Sequence, residues 1–398
     1  MRFLDEVDLR GKRVMMRVDF NVPLDKNRQV ADDTRIQAIL PSLRKLLDNR
    51  ARVILVSHLG RPKGKVVAEM SLKPVAEHLS RAIGQPVVLA PDCIGPEVTK
   101  MVAELGEGQL LLLENLRFHP EEEQDDAAFS QALAALADVY VNEGFAVSHR
   151  AHASVHGITR YAKVCAAGYQ LQQEITYFRK AFDHPERPVA VVIGGAKVSS
   201  KIGLLENIIP KIDYLLIGGA MANTFLKAQG IAVGASLVEN EFLDTAKDLV
   251  AQAAQRGVQV LVPRDAVVAS GLDDGANARE VAIDYVPASA LILDVGPQTV
   301  EYFTAVLKTC RTIVWNGPLG AFETPPFHKG TFALAQFLGK AQALTVIGGG
   351  DSAAAVKKAG VADKVSYVST GGGAFLEMME GKILPGIAAL EECAQRGQ

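Results

Sequence analysis

Residues 189–201 read Val-Ala-Val-Val-Ile-Gly-Gly-Ala-Lys-Val-Ser-Ser-Lys. Five apolar residues in unbroken succession, with no alternation to a polar face, predict a strand covered on both sides. The Gly194-Gly195 pair ends it in a turn, and the lysines that follow stand where a helix is expected to begin. The same pattern recurs along the chain. Residues 13–19 run into Phe20-Asn21-Val22-Pro23, 52–57 into His58-Leu59-Gly60-Arg61, 110–113 into Glu114-Asn115-Leu116-Arg117, and 139–141 into Asn142-Glu143-Gly144. Further on, 214–217 lead to Gly218-Gly219, 313–315 to Asn316-Gly317, 345–347 to Gly348-Gly349-Gly350, and 365–368 to Ser369-Thr370. Apolar strands alternating with helices predict an α/β fold with parallel sheets flanked by helices, whose ligands bind beyond the carboxyl ends of the strands.

A length of 398 residues suits two or three domains, and the 48% hydrophobic and 22% charged composition is that of a globular enzyme. A formal charge of −3 gives no global attraction to nucleic acid or to an acidic membrane, so anion-binding cations would have to be clustered locally. No apolar run reaches the length of a membrane span, and residues 1–18 lack the core of a secretory signal, so a cytoplasmic location is expected. Cys93, Cys165, Cys310 and Cys393 show no metal-ligand spacing. They read as packing residues of a reducing compartment rather than as a disulfide framework or a zinc site. A helix is predicted over 170–182, with 183–188 as its stop and a linker, which places the domain boundary between Tyr169 and Pro188. A second helix follows the Asp33/Thr34 cap pair, with Ile36, Ile39, Leu40, Leu43, Leu46 and Leu47 on one face and Pro41 inside it.

The halves differ in flavour. Seven of the 8 histidines lie at or before residue 184, and the Gly-Gly clusters lie after it. In the second half, glycine loops at 194–197, 218–219, 348–352 and 371–373 would let backbone amides approach phosphate; any one alone is as readily a tight βα turn. Asp351 reads either as a helix N-cap or as a ligand of Mg²⁺ on a nucleotide, and the readings are compatible. Residues 348–353 match a dinucleotide fingerprint, but the next strand ends in Ser369-Thr370 without its acidic residue, and no P-loop occurs. Lys197 and Lys201, four apart at a predicted helix start, would share a face and await an anion, unless they are a solvated pair. In the first half, Arg35, His58, Arg61, Arg117 and Arg150 all fall in or just after post-strand turns and together suit a small multiply charged anion. Asp19 and Asn21 either orient a substrate hydroxyl or form a turn around Pro23. A metal reading of His58, His149, His152 and His156 fits no familiar spacing. No general base is legible beside the cations, which suits a carboxylate acceptor, already ionised at neutral pH.

The stretches RVDFNVP (17–23), DDTRI (32–36), SHLGRPKG (57–64), ENLRFHPEEE (114–123), HRAHAS (149–154), GGAKVSSKI (194–202), VWNGPLGAFE (314–323), IGGGDSAAA (347–355) and STGGGAFLE (369–377) resemble phosphoglycerate kinases, in the family's order and over nearly the whole chain. The resemblance implies two Rossmann-like domains with a hinged cleft between them: 1–169 with a returning segment near 385–398, a helix and linker over 170–187, and 188–384. It implies that Asp19, Phe20, Asn21, Arg35, His58, Leu59, Gly60, Arg61, Arg117 and Arg150 hold 3-phosphoglycerate or 1,3-bisphosphoglycerate. Gly195, Ala196, Lys197, Lys201, Gly219, Asn316, Glu323, Gly349, Gly350, Asp351 and Ser352 would hold ADP or ATP, with Mg²⁺ on Asp351. Arg35, Lys197 and Gly372 would act on the transferring group, and Glu174 and Thr370 would lie near the hinge. A cytoplasmic monomer working on small molecules, without nucleic acid or membrane, is the implied setting. Ala220, Phe375 and Ile292 depart from the family, standing where many members carry Gly, Ser and Gly.

Overall fold

The computed structural model describes residues 1–396. The chain separates into two compact units, Met1–Ile175 with the segment from Ile383 onward, and Thr176–Lys382. The first unit is built on β1 (Arg13–Arg17), β2 (Arg52–Val56), β3 (Val87–Leu89), β4 (Leu110–Leu112), β5 (Val139–Asn142) and β6 (Cys165–Ala167). They form a parallel sheet in the order β3-β4-β2-β1-β5-β6. From β1 the chain goes outward to β2 on one side and returns to β5 on the other, so the order reverses at β1. That reversal opens a crevice at the carboxyl ends of the strands. The helix Thr34–Asp48 buries Ile36, Ile39, Leu40, Leu43 and Leu46 against the sheet and continues through Pro41. Asp33 stands at its cap position without capping it, because its carboxylate accepts from the Gln37 side chain at 2.8 Å and lies 3.2 Å from His78 Nε2.

The second unit contains β7 (Val189–Ile193), β8 (Tyr214–Ile217), β9 (Gln259–Leu261), β10 (Asp265–Ala269), β11 (Arg279–Ala282), β12 (Leu291–Val295), β13 (Thr312–Asn316), β14 (Leu344–Gly348) and β15 (Tyr367–Val368). Its main sheet is parallel in the order β15-β14-β13-β7-β8-β9, reversing at β7. Unpredicted from sequence is a small antiparallel sheet, β11-β10-β12. All five residues of β7 and of β13 are buried, as sheet centres covered by helices require. The helix Tyr169–Phe182 contains the boundary between the units.

The terminal helix Pro385–Arg396 belongs to the first unit and packs against β6. Residues 397 and 398, part of the returning segment expected from sequence, lie outside the described residues. Cys165 on β6 and Cys393 on this helix form a disulfide with a Cα separation of 6.1 Å. This corrects the sequence reading of the cysteines. A pair brought together across 228 residues has no local spacing to betray it. Among the described residues no helix is long and apolar enough to cross a membrane.

Candidate active site

In the first unit the loops after β1, β2, β4 and β5 converge on the crevice. Asp19 accepts an ion pair from Arg35 at 2.8 Å, and the same guanidinium donates to the Asn21 carbonyl at 2.9 Å. Asn21 in turn accepts from the Gly60 amide at 2.9 Å, while Arg117 donates to the Gly60 carbonyl at 2.9 Å. The loops after β1 and β2, tied to each other, therefore orient the two arginines together. Phe20 and Leu59 are buried and serve as packing anchors, with the Phe20 amide held by Ser57 Oγ. Arg61 and Arg150 are exposed on the rim, Arg150 bonding to the neighbouring His149.

Sequence reading missed Arg17, which lies fully buried beneath the site. It donates to Ser154 Oγ at 2.8 Å and faces His58 Nδ1 at 3.2 Å. Ser154 donates onward to the buried Glu122 carboxylate. Because an arginine can only donate, Nδ1 of His58 is the acceptor and Nε2 carries the proton. Burial, followed by Arg17, Arg117 and Arg35, holds His58 well below its ordinary pKa. Burial and the same arginines Arg17 and Arg117 lower His152 to about 3. Both imidazoles are neutral at pH 7, through burial first and the surrounding arginines second. Asp19 is tied to Arg35, and Glu123 lies 3.3 Å from Arg117 Nε.

In the second unit the loops after β7, β8, β13 and β14 meet backbone to backbone. Gly195 donates to the Pro318 carbonyl, and Gly219 to that of Leu319. A Cβ at Gly194 would stand 2.0 Å from the Pro318 oxygen. One at Gly219, whose φ is +68°, would stand 2.5 Å from the Gly195 nitrogen. These loops have no room for side chains. Lys201 bonds to the Asn316 side chain at 2.7 Å, and Asn316 Nδ2 donates to the Gly348 carbonyl at 2.8 Å. Burial draws the Lys201 ammonium below its usual pKa. Among the described residues it has no ion pair, so it sits poised for an anion.

Two local expectations are corrected. Lys197 and Lys201 do not share a helical face: the helix begins only at Ile202, after an irregular turn. Glu239 holds that turn open, accepting from Ser199 N at 3.1 Å and Ser199 Oγ at 2.6 Å. Burial pushes the Glu239 pKa up, but the Ser199 bonds and nearby Lys197 bring it below the ordinary value. Asp351 is not the cap of its helix, since Gly349, at φ +91°, takes that position. Asp351 is exposed in the first turn, and Ser352 is buried, its hydroxyl accepting from the Gly317 amide at 2.6 Å. An exposed carboxylate beside glycine amides is a donor set that fits a hard divalent cation shared with phosphate oxygens. Gly372, at φ +40°, precedes the short helix Gly373–Met379, and Glu323 is exposed after the turn at 317–320.

From these loops a cavity of 310 Å³ extends between Ala220, Leu226, Ile292, Leu293 and Ala321, with Asp351 also lining it. Ala220 and Ile292 thus place two departures from the family pattern on its wall. Phe375, the third, packs instead against Gly348, where a Cβ would meet its ring at 2.3 Å. Asn223 lines the cavity with its Oδ1 unpartnered among the described residues. Beneath lies Asp294, whose carboxylate accepts from the amides of Gly330 and Val295, and which burial pushes up to about 7. Nothing in the sequence around Asn223 or Asp294 marks them, because their roles come from burial alone.

The family model for phosphoglycerate kinase matches residues 4–382. The phosphoglycerate kinase of Syntrophobacter fumaroxidans is 66% identical over 396 residues, covering 100% of both chains. That of Synechococcus elongatus is 54% identical, covering 98% of each. The phosphoglycerate kinase structure from Coxiella burnetii superposes with a TM-score of 0.89 at 41% identity, covering 99% of each chain. The one from Pyrococcus horikoshii gives 0.86 at 28%, covering 100% of each. Sequence likeness and shared architecture run the length of the molecule, and the chain belongs to the phosphoglycerate kinase family.

Proposed function

We propose that the chain catalyses reversible transfer of the acyl phosphoryl group of 1,3-bisphosphoglycerate to Mg-ADP, yielding 3-phosphoglycerate and ATP. One observation carries this reading: the crevice of the first unit gathers Arg17, Arg35 and Arg117 around the buried His58, where burial and these arginines together hold the imidazole well below its ordinary pKa. Such a site calls for a compact polyanion, and its acids are engaged with arginines, which leaves no free base to deprotonate a hydroxyl. A carboxylate acceptor needs none.

In this reading Asp19, Asn21, His58, Arg61, Arg117 and Arg150 bind the glycerate, and Arg35 also meets the transferring group. The amides of the glycine loops, with Lys201, bind the nucleotide phosphates, and the apolar cavity takes the nucleoside. Lys197 and the amide at Gly372 offset charge on the group in flight. Asp351 would hold Mg²⁺, which when bound supplies further positive charge to the phosphate oxygens. The residues around 1–169 with the returning segment form the glycerate domain, those around 188–384 the nucleotide domain, and 170–187 link them. Transfer between ligands held by separate domains requires closure that brings them in line and excludes water. The enzyme acts as a cytoplasmic monomer.

The test is a coupled assay with Mg-ATP and 3-phosphoglycerate, reading acyl-phosphate formation. Arg35→Ala is expected to lower kcat on the order of 100-fold or more while leaving ADP binding unchanged. Equal losses in turnover and in ADP affinity would remove Arg35 from the transfer step. Absence of wild-type turnover with both ligands bound would overturn the assignment.

A further inference from the structure

A second constellation lies in the first unit, built from the loop after β3 and the turn after β4. Asp92 Oδ1 lies 2.6 Å from His119 Nε2 and 2.6 Å from the Cys93 amide nitrogen. The Cys93 side chain is fully buried beside them. One oxygen, one nitrogen and one sulfur thus lie within 4.8 Å of one another. We propose that Asp92, Cys93 and His119 form a binding site for a thiophilic divalent cation, zinc above all.

Three features support this beyond proximity. The donor set is mixed: a thiolate and an imidazole select zinc over magnesium, and one carboxylate completes three corners of a tetrahedron with the fourth open to water. No lysine or arginine among the described residues pairs with Asp92, and Glu121 and Glu122 lie close by, so the local field favours a cation. Finally, Glu121 lies 4.0 Å from His119 Nδ1, on the side of the ring away from Asp92. A metal-bound histidine commonly has a carboxylate there to receive its second N–H.

The hydrogen-bonded arrangement converts to a metal site by exchange of protons for the cation. The Cys93 thiol releases its proton to solvent as the sulfur–metal bond forms. The His119 proton moves to Nδ1, which faces Glu121 at 4.0 Å, freeing the Nε2 lone pair. Asp92 exchanges its contact with Nε2–H for one with the metal. The site would strap the loop after β3 to the turn bearing Arg117, already linked by the Glu114 amide donating to the Asp92 carbonyl. Cys93 and His119 come from separate loops, so no motif spacing announces them.

Cobalt is the probe. Chelator-treated full-length protein titrated with Co²⁺ is expected to bind one equivalent with a thiolate-to-cobalt charge-transfer band and tetrahedral visible bands, which Zn²⁺ abolishes and Mg²⁺ does not. Cys310→Ser should leave the band intact, and Cys93→Ser should remove it. Because Cys93 is buried, Asp92→Asn and His119→Gln give a second reading on half-exposed residues, each weakening Co²⁺ by about tenfold or more. Zinc should also raise the urea midpoint of wild-type protein and not that of Asp92→Asn. The proposal falls if no charge-transfer band appears, if it survives Cys93→Ser, or if Asp92→Asn and His119→Gln bind Co²⁺ as wild type does.

Discussion

Reducing the Cys165–Cys393 bond should destabilise the first unit and leave the second where it was. The crosslink closes a loop of 228 residues in sequence. Much of that loop is the second unit, which keeps its own fold when the first unfolds alone. Only the stretches 165–175 and 383–393, between the crosslink and the unit boundaries, are then free, about 20 residues. Chain-entropy reasoning gives about 3 kcal/mol for a loop of that size and about 5 kcal/mol if both units unfold together. With a urea dependence of about 2 kcal/mol per molar, the smaller figure moves the first unit's midpoint down by about 1–2 M. The molecule carries its own discriminating probe. Its 1 tryptophan, Trp315, is buried in β13 of the second unit, so its fluorescence reports that unit while far-UV ellipticity reports both. With reductant, the ellipticity should acquire an earlier phase silent in fluorescence. Thiol titration of unreduced, denatured protein should find two groups, Cys93 and Cys310, and four after reduction. Four before reduction, or an ellipticity profile indifferent to reductant, would refute the reasoning.

Glu239 is a positioning residue for the turn that carries Lys197. Glu239→Ala should lower kcat about tenfold, the equivalent of about 1.4 kcal/mol for its two bonds to Ser199, with a smaller change in nucleotide KM. Glu239→Gln, which can still accept from the Ser199 amide, should recover most of the loss; equal defects would mean that charge, not placement, matters. Asp294 gives the second unit a pH dependence of definite sign. Its carboxyl is raised from 3.8 to about 7 on folding, so the folded state holds the extra proton between those values. Stability is therefore full below about pH 4 and declines as pH rises through about 7, by about 4 kcal/mol at most. Asp294→Asn should flatten this slope in the Trp315 urea midpoint between pH 5 and 8, and an unchanged slope would assign it to another group.

Strands with unbroken apolar runs were legible because burial on both faces forces such composition. Several of the strands missed have their place set by neighbours. β3 leaves Val88 half exposed at the sheet edge, β6 is Cys-Ala-Ala, and β9 opens with an exposed Gln259. β6 and β9 have too little apolar surface to announce themselves, β3 is only three residues long, and β10 and β12 went unread although Ala266–Ala269 and Leu291–Leu293 are apolar runs. The site shows the same division. Loop residues such as Asp19, Asn21 and Gly60 could be found because they follow legible strands. Arg17 could not: it ends β1 as an apparent flanking charge, and only tertiary contact with Ser154 and His58 makes it a buried support. The helix expected at Lys197 failed because a carboxylate from a distant loop captured the Ser199 amide. Glu239 is 40 residues away.

The two units would reach the anion recognition proposed above by different physics, and this would govern how each tolerates change. In the first, positive charge comes from side chains whose positions depend on one another. Arg35 and Arg117 are oriented through Asn21 and Gly60, and Arg17 through Ser154 and Glu122. That field adds to burial in holding His58 and His152 below their ordinary pKa. In the second, donors are backbone amides fixed by loops packed so closely that a methyl group at Gly194 or Gly219 would overlap neighbouring backbone. Charge is added sparingly there, as one buried lysine held by an amide rather than an acid. A carboxylate in place of Asn316 would neutralise Lys201 before any phosphate arrived. The neutral partner keeps the ammonium oriented while leaving its charge for the ligand, which is why asparagine and not aspartate suits that position.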